Sequence, residues 1–552
     1  MRRITIITAF FILAVCIHCS AFAECGGFII DPADMTAVGY TGLGGAAAVP
    51  SSIRRLDFIS SADKAIEAIT EIILHAGITG VNGLSECKSL AEISVDAENP
   101  MLKSVDGVLY TKDMTCLIAY PRAKKDAVFK IPETVVKIQM GAVTENPYLE
   151  AVVFPAGLAE LGTGNFTSCG QLKSLTMPEE NASYTAADGL LYTKDEKCLK
   201  LCPGGISGRV TVREGTEVIG YSAFSGCSSM TETVLPESLL SIMTMAFSGC
   251  TGLKSITLPA GLESLNVSCF SGCMALTAIE AGNSDRYKSV DGILYSRDML
   301  DLICCPPGKS GSVTIPRGVR SIQNGAFDGC SQITEIRLPW SMENIERAFL
   351  NCAALTCLQV PETQSILDYC TFMGCTKLEW VYLPCNVVII QDRAFEGCNP
   401  VIYCDEDSYA EMYAMEHGLE YRYMIHVLLN GEKVWFDQPP VMERNAVLVP
   451  VRAVFEALGA EVSWDEKTKS AVAESNGTQV EITADKEQMQ IKKGTDTREV
   501  TLSASAKIEN GRMLVPLRAV AEAFMAEVSW NMKTNTVEIV KNENNAAEGK
   551  ES

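Results

Sequence analysis

Leu253-Lys254-Ser255-Ile256-Thr257-Leu258-Pro259, followed by Leu262, Leu265, Phe270 and Cys273, decides the fold of this 552-residue chain. Ile256 and Leu258, two residues apart, mark a short strand with one buried face. Pro259, which has no N–H to give to a ladder, stops it. Residues 262–273 read as a return path in which Phe270 plugs an interior and the small Cys273 fits the bend beside it. Phe-x-x-Cys recurs at Phe224/Cys227, Phe247/Cys250, Phe270/Cys273, Phe327/Cys330, Phe349/Cys352, Phe372/Cys375 and Phe395/Cys398, in steps of 23, 23, 57, 22, 23 and 23 residues. Backwards, Phe166/Cys169, Val143/Asn146 and Leu84/Cys87 carry the ladder to about residue 84.

One such turn cannot bury its apolar face alone. Stacked at about 4.8 Å per strand, successive turns join their inward residues into one core, and each fully buried large side chain contributes roughly 1.5–3 kcal/mol. The pattern therefore predicts a β-rich solenoid held by interfaces between turns. The steps of 57 to 59 residues contain an extra segment: Ser104-Val105-Asp106-Gly107-Val108-Leu109-Tyr110, Ala187-Asp188-Gly189-Leu190-Leu191-Tyr192 and Val290-Asp291-Gly292-Ile293-Leu294-Tyr295. Each is followed by Lys or Arg, then Asp, and an apolar run closing on Pro121, Pro203 or Pro306. Asp-Gly between β-branched and aromatic residues predicts hairpins.

These residues resemble the BspA-type leucine-rich repeats of bacterial surface proteins, whose unit runs Leu-x-x-Ile-x-Leu-Pro, then Ile, then Ala-Phe-x-x-Cys. Ala223-Phe224, Ala246-Phe247, Ala326-Phe327, Ala348-Phe349 and Ala394-Phe395 follow it; Gly141-Ala142-Val143 with Asn146, and Cys370-Thr371-Phe372, depart from it. The resemblance implies protein or matrix binding at cell surfaces without specifying a ligand.

From about Ile425 a second duplication replaces the first. Leu448-Val449-Pro450-Val451-Arg452-Ala453-Val454 through Gly459-Ala460-Glu461-Val462-Ser463-Trp464 returns 66 residues later as Leu514-Val515-Pro516-Leu517-Arg518-Ala519-Val520 through Ala526-Glu527-Val528-Ser529-Trp530. Pro450 and Pro516 suit a helix start; Val454/Leu458 and Val520/Phe524 share a helix face. Each helix leads to a strand ending in Trp, a turn and a second strand, so the fold class is a leucine-rich-repeat solenoid followed by a small α/β domain with internal duplication. This part resembles the copper amine oxidase-like N-terminal domain of exported Gram-positive proteins, which implies an accessory, stalk-like module with a role in envelope association. The name implies no activity: copper favours a cluster of imidazoles, and the region holds only His426.

The expected organisation is a signal peptide over 1–23, an N-terminal cap over 24–82, repeats over 83–404, a cap or linker over 405–424, the duplicated domain over 425–541 and a disordered tail over 542–552. Arg2 and Arg3, an apolar run from Ile4 to about Cys16, and Ala21 and Ala23 read as a signal peptide cleaved after Ala23; Val15 is too large for a lipobox position before Cys16. No later stretch is apolar for the roughly 20 residues of a spanning helix. Ala62 to His75 is expected to be helical. Ser408 to Gly418 is expected to be a capping helix with Tyr409, Met412 and Tyr413 on one face.

The net charge of −22, or −24 once Arg2 and Arg3 leave, argues against nucleic acid and anionic lipid as partners. Of 22 cysteines, Cys16 and Cys19 lie in the signal peptide and nine sit on the ladder, where a thiol acts as a small apolar residue. The off-ladder set, including Cys25, Cys116, Cys357, Cys385 and Cys404, is where disulfides are open to form, with connectivity unreadable. Cys198/Cys202 and Cys304/Cys305 lack paired Cys-x-x-Cys spacing for zinc. Pro307-Gly308-Lys309-Ser310 has Ile303 where a phosphate loop starts with Gly, and Gly42-Leu43-Gly44-Gly45 lacks the acid of a dinucleotide site. His75 and His417 read as cations at helix ends.

No catalytic, cofactor-binding or metal-binding residues emerge. The expected function is that of a non-catalytic, secreted or cell-surface binding protein whose partner is a protein, a matrix component or a cell-wall polymer. Strand alternation places Lys254, Ser255, Thr257, Glu335, Arg337, Glu379 and Tyr382 on the outward face, as candidate ligand contacts. The alternatives are a wall-architecture protein without a soluble ligand, and an exported hydrolase with an unrecognised site.

Overall fold

The computed structural model describes residues 23–58, 64–339, 341–509 and 511–541. The signal peptide expected over 1–23 lies outside these residues except for Ala23, and the tail expected over 542–552 lies outside them altogether. The chain divides into two compact units: residues 1–310 with 319–332 and 345–352, and residues 311–318, 333–344 and 353–552.

In the first unit, each ladder period forms two short strands that pair in parallel with the same strands of the next period. Val128–Lys130, Ala151–Val153 and Ser174–Thr176 make one such stack. On the return path, Val218–Ile219, Ser241–Ile242 and Ser264–Leu265 make another. Phe224, Phe247 and Phe270 stack through the interior with centroids 4.8 and 5.7 Å apart, close to the strand spacing. The ladder thiols are fully buried beside them. Cys250 Sγ donates to the Phe224 carbonyl and Cys273 Sγ to the Phe247 carbonyl, each at 3.1 Å, so each turn is tied to the one before it.

The three long repeats carry the expected hairpins. Asp106 and Gly107 both have positive φ (50° and 74°), as do Asp188 and Gly189 (52° and 79°) and Asp291 and Gly292 (50° and 74°). That conformation at both central positions matches the twist of the flanking strands and favours Asp-Gly. In each case a third strand, Cys116–Ala119, Cys198–Leu201 or Asp301–Cys304, closes antiparallel on the hairpin and then pairs in parallel with the return strand of the next turn.

Asn146, at a Cys position, is wholly buried and saturated. Its Nδ2 donates to the carbonyls of Pro121 (3.2 Å) and Lys124 (2.9 Å), and its Oδ1 accepts from the N–H groups of Tyr148 and Leu149 at 2.9 Å each. Asn99 and Asn181 fill the same kind of role at bends ahead of two hairpins.

The helix expected from Ala62 to His75 is corrected. Among the described residues of that span only α1, Lys64–Glu67, is helical; Ile69–Leu74 is a strand, pairing in parallel with Gly45–Ala48 on one side and Glu92–Val95 on the other. Four β-branched residues among six, with Ile69, Ile72 and Leu74 buried, favour a pleated surface over a helix. Thr36–Tyr40, Arg55–Asp57 and Gly80–Asn82 also pair in parallel, so turns of the same kind are built well ahead of residue 84. His75 accordingly caps no helix: its Nδ1 accepts from Gly77 N–H at 2.9 Å, which leaves Nε2 to donate to the Ile53 carbonyl at 3.0 Å.

In the second unit, Cys357–Gln359, Trp380–Leu383, Val401–Cys404 and Tyr421–Tyr423 pair in parallel. Between the last two strands the return path is a helix, α2, Tyr409–His417. Ser408 Oγ accepts from Glu411 N–H, the Glu411 carboxylate accepts from Asp407 N–H, and Gly418 takes the left-handed C-cap (φ 67°) that a Cβ would strain. His417 lies in its last turn, as expected. Tyr413 meets Phe395 at 6.1 Å, but Met412 is 56% exposed; Ala410, Glu411 and Ala414 form the inward face instead.

The duplicated region follows. α3 (Val451–Ala457) and α4 (Leu517–Ala523) begin directly after Pro450 and Pro516 and pack around Phe455 and Phe524, whose rings meet edge to face at 5.5 Å. Ala446–Pro450 pairs antiparallel with Arg512–Pro516, so that Val449 lies opposite Val515, its own counterpart 66 residues on. Strands Glu461–Asp465 and Glu527–Asn531 hold Trp464 and Trp530.

Candidate binding face

Strand alternation turns two residues of each inner strand outward, and parallel pairing lines them up from turn to turn. In the first unit the outward columns include Val128, Ala151 and Ser174, and Lys130, Val153 and Thr176. Further along, Ser255 stands beside Ala278 and Thr257 beside Glu280. Lys254, Ser255 and Thr257 are exposed around buried Leu253, Ile256 and Leu258. The surface alternates hydroxyls, short apolar groups and sparse charges, and Arg209 and Glu232 pair across adjacent strands at 3.5 Å. Such a face offers hydrogen bonds and apolar contact at the strand interval to a ligand laid across it.

In the second unit the same outward positions are occupied from within the chain. Arg337 lies over the ring of Trp435, 4.3 Å from its centroid, and pairs with half-buried Glu335. Gln359 Nε2 donates to the Phe436 carbonyl at 3.2 Å. Lys433 forms an ion pair with Glu362 and sits 5.9 Å above the Tyr382 ring. Residues 433–438 thus lie along the strand face, stopped by Pro439 and Pro440.

Tyr382, expected to be exposed, is 3% exposed and is corrected to a buried residue. Its hydroxyl donates to Asp405 Oδ2 at 3.2 Å and its ring meets His426 edge to face at 5.5 Å. Burial and the Asp405 charge push the phenol well above its ordinary range. Burial alone would raise the Asp405 carboxyl too. His426 Nε2 at 3.0 Å, Cys385 N–H at 2.9 Å and the Tyr382 hydroxyl outweigh it and hold the group below the usual carboxylate range. Glu379 remains exposed next to buried Trp380. Trp435, Asp405 and His426 are not marked as part of this face by the strand pattern; the one signal, for Trp435 alone, is the aromatic pair Trp435-Phe436 shortly ahead of Pro439 and Pro440.

Beside that segment a cleft of about 760 Å³ is lined by Arg337, Lys433, Trp435, Arg452, Trp464 and Arg512. Arg452 pairs with Glu456 at 4.0 Å and Arg512 with Asp437, so its charges are locally balanced. Among the described residues no group of three or more His, Cys, Asp and Glu side chains is placed to hold a metal ion. No helix of the described residues is long and apolar enough to cross a membrane.

Residues 125–187, 209–297 and 308–405 match the model of the BspA type leucine rich repeat region, in six copies, and residues 428–539 match that of the copper amine oxidase N-terminal domain. The chain carries a BspA type leucine-rich repeat region followed by a copper amine oxidase N-terminal domain. Solved structures similar to it include a leucine rich cell surface protein from Faecalibacterium prausnitzii, 18% identical, covering 72% of this chain and 97% of that one at a TM-score of 0.33. A leucine-rich repeat protein from Eubacterium ventriosum is 16% identical, covering 67% and 92%, at 0.37. The pneumococcal vaccine antigen PcpA is 13% identical, covering 73% and 98%, at 0.27. None of the curated proteins compared with the chain matches it.

Both matched models describe non-catalytic modules, one a repeat and one an accessory domain. The residues of the latter do not fit the copper in its name: His426 is the sole imidazole of residues 425–541, and its Nε2 is committed to Asp405.

Proposed function

We propose that this chain is a secreted, cell-surface binding protein of adhesin type, in which the outward strand face of the BspA-type repeats takes a protein or matrix ligand and the C-terminal domain serves envelope association. The observation that carries the reading is the grip of one part of that face on residues 433–438. Cation–π contact, side chain to backbone hydrogen bond and ion pair together hold that segment of chain. Over Ser255–Thr257 and its neighbours the equivalent positions are exposed, and Lys254, Ser255 and Thr257 are the proposed contacts there. Export rests on the signal-peptide pattern of residues 1–23.

The test is retention of the full chain on immobilised host matrix proteins and, separately, co-sedimentation with purified cell-wall sacculi. Binding to both supports an adhesin held at the envelope. Binding to sacculi alone replaces it with the wall-architecture reading, and turnover of wall polymer would revive the hydrolase.

A further inference from the structure

Two of the three hairpin-bearing repeats end in Cys-Pro, and in both the next turn brings a ladder cysteine to the same place. Cys202 Sγ lies 3.8 Å from the Pro203 carbonyl oxygen, and Cys227 Sγ lies 3.7 Å from that same oxygen. Cys305 Sγ lies 3.9 Å from the Pro306 carbonyl oxygen, and Cys330 Sγ 3.7 Å from it. The two sulfurs of each pair face one another across a single oxygen, 25 residues apart in sequence. Each pair is held together by the backbone as well: Cys202 N–H donates to Ala223 O at 2.7 Å, and Cys305 N–H to Ala326 O at 2.8 Å.

The third hairpin repeat shows what replaces the pair. There Tyr120 precedes Pro121, the ladder position is Asn146, and Asn146 Nδ2 donates to the Pro121 carbonyl at 3.2 Å. Cysteine is thus present at both positions or at neither. Ordinary ladder thiols also touch, Cys250 lying in side-chain contact with Cys273, but each of these donates to a phenylalanine carbonyl one turn back, at 3.1 Å. Those two are related by translation from turn to turn, and parallel side chains are poorly set for the roughly 90° dihedral of a disulfide. Cys202 and Cys227 occupy different positions of the repeat and converge.

We propose that Cys202–Cys227 and Cys305–Cys330 are disulfide-forming pairs, each stapling a hairpin-bearing turn to the turn that follows it. In each pair one thiolate attacks a small-molecule disulfide of the glutathione class and displaces one of its halves as a thiol. The second cysteine then attacks the mixed disulfide and displaces the other half. One S–S bond forms in the protein and one breaks in the oxidant; two electrons pass to the oxidant, which leaves as two thiols carrying the two protons. All four side chains are buried in the folded turn. The Cys202 thiol and then burial hold Cys227 well above the ordinary thiol range, and burial and then the Cys305 thiol do the same for Cys330. Exchange therefore takes place as the turns close, before the pair is sealed. The step needs a disulfide oxidant and does not depend on what the strand face binds.

The test is a disulfide map of the full chain, folded by secretion into an oxidising periplasm, then blocked with N-ethylmaleimide in denaturant and digested. The expected result is two cross-linked peptides, Cys202 with Cys227 and Cys305 with Cys330, while Cys250 and Cys273 are alkylated. In a Cys202→Ser/Cys227→Ser double variant the Cys305–Cys330 link persists, since the two pairs are separate. Alkylation of all four residues in the wild-type protein, or links that join them to Cys250 or Cys273 instead, overturns the proposal.

Discussion

Arg337 lies flat over the indole of Trp435, with its guanidinium carbon 4.3 Å from the ring centroid. A residue of a repeat strand is thereby paired with one just past the hairpin of His426–Leu429 and Glu432–Lys433. Cation–π pairs contribute about 0.5–1 kcal/mol when exposed and about 2 when desolvated. A double-mutant cycle on Arg337→Ala and Trp435→Ala, followed by urea unfolding, is expected to give a coupling of about 0.5–2 kcal/mol. Additive effects would mean that the pair is incidental.

Phe247 stacks between Phe224 and Phe270 and is fully buried. Phe247→Ala removes the plug of one turn and leaves a cavity facing two others, at a cost of about 3–5 kcal/mol. Thermal unfolding should show a large drop in midpoint; a change within the noise would contradict a core built turn by turn.

Asn146 offers a sharper case, because restoring the repeat pattern there should do harm. Asn146→Cys brings back the ladder cysteine behind Val143 but strips the Tyr148 and Leu149 N–H groups of their acceptor. Each buried group left unpaired costs about 1–3 kcal/mol, so the variant should be less stable than wild type in denaturant titration. Equal stability would show that the bend simply takes the backbone path of its neighbours.

The Asp405 carboxyl, held below its usual range chiefly by His426, Cys385 N–H and the Tyr382 hydroxyl against the opposing effect of burial, links stability to pH. A depressed folded-state pKa means that the unfolded chain binds the proton first. The stabilisation is therefore complete above the unfolded value of about 3.9 and is lost as pH falls through the lower folded value. Wild type should exceed Asp405→Asn in urea midpoint at neutral pH, and the gap should narrow as pH falls below the unfolded value of about 3.9. A constant gap across that range would contradict the assignment.

Much of this was legible because periodicity carries its own register. The 23-residue step placed Phe224, Phe247 and Phe270 in one stack, and Asp106-Gly107 announced a turn that needs two positive φ angles. The 66-residue offset announced two copies, but that they pair with Val449 opposite Val515 is seen only in the structure. Ile69–Leu74 was misread because a short apolar run fits helix and strand alike, and its outcome was set by parallel partners on both sides. Tyr382 alternates correctly as an outward residue, yet it is covered by His426 and Lys433, 44 and 51 residues downstream. Nothing local to a strand records that another segment will cover it.

The most direct measurement is the binding of the full chain to the matrix surface that retains it, comparing Thr257→Arg with Ser264→Arg. Both positions are exposed and lie in the same repeat, one on the inner strand face and one on the return strand. If the strand face is the binding face, Thr257→Arg weakens retention by about tenfold or more, the effect of roughly 1.4 kcal/mol, while Ser264→Arg leaves it unchanged. Equal retention of both variants, or loss confined to Ser264→Arg, would contradict the account.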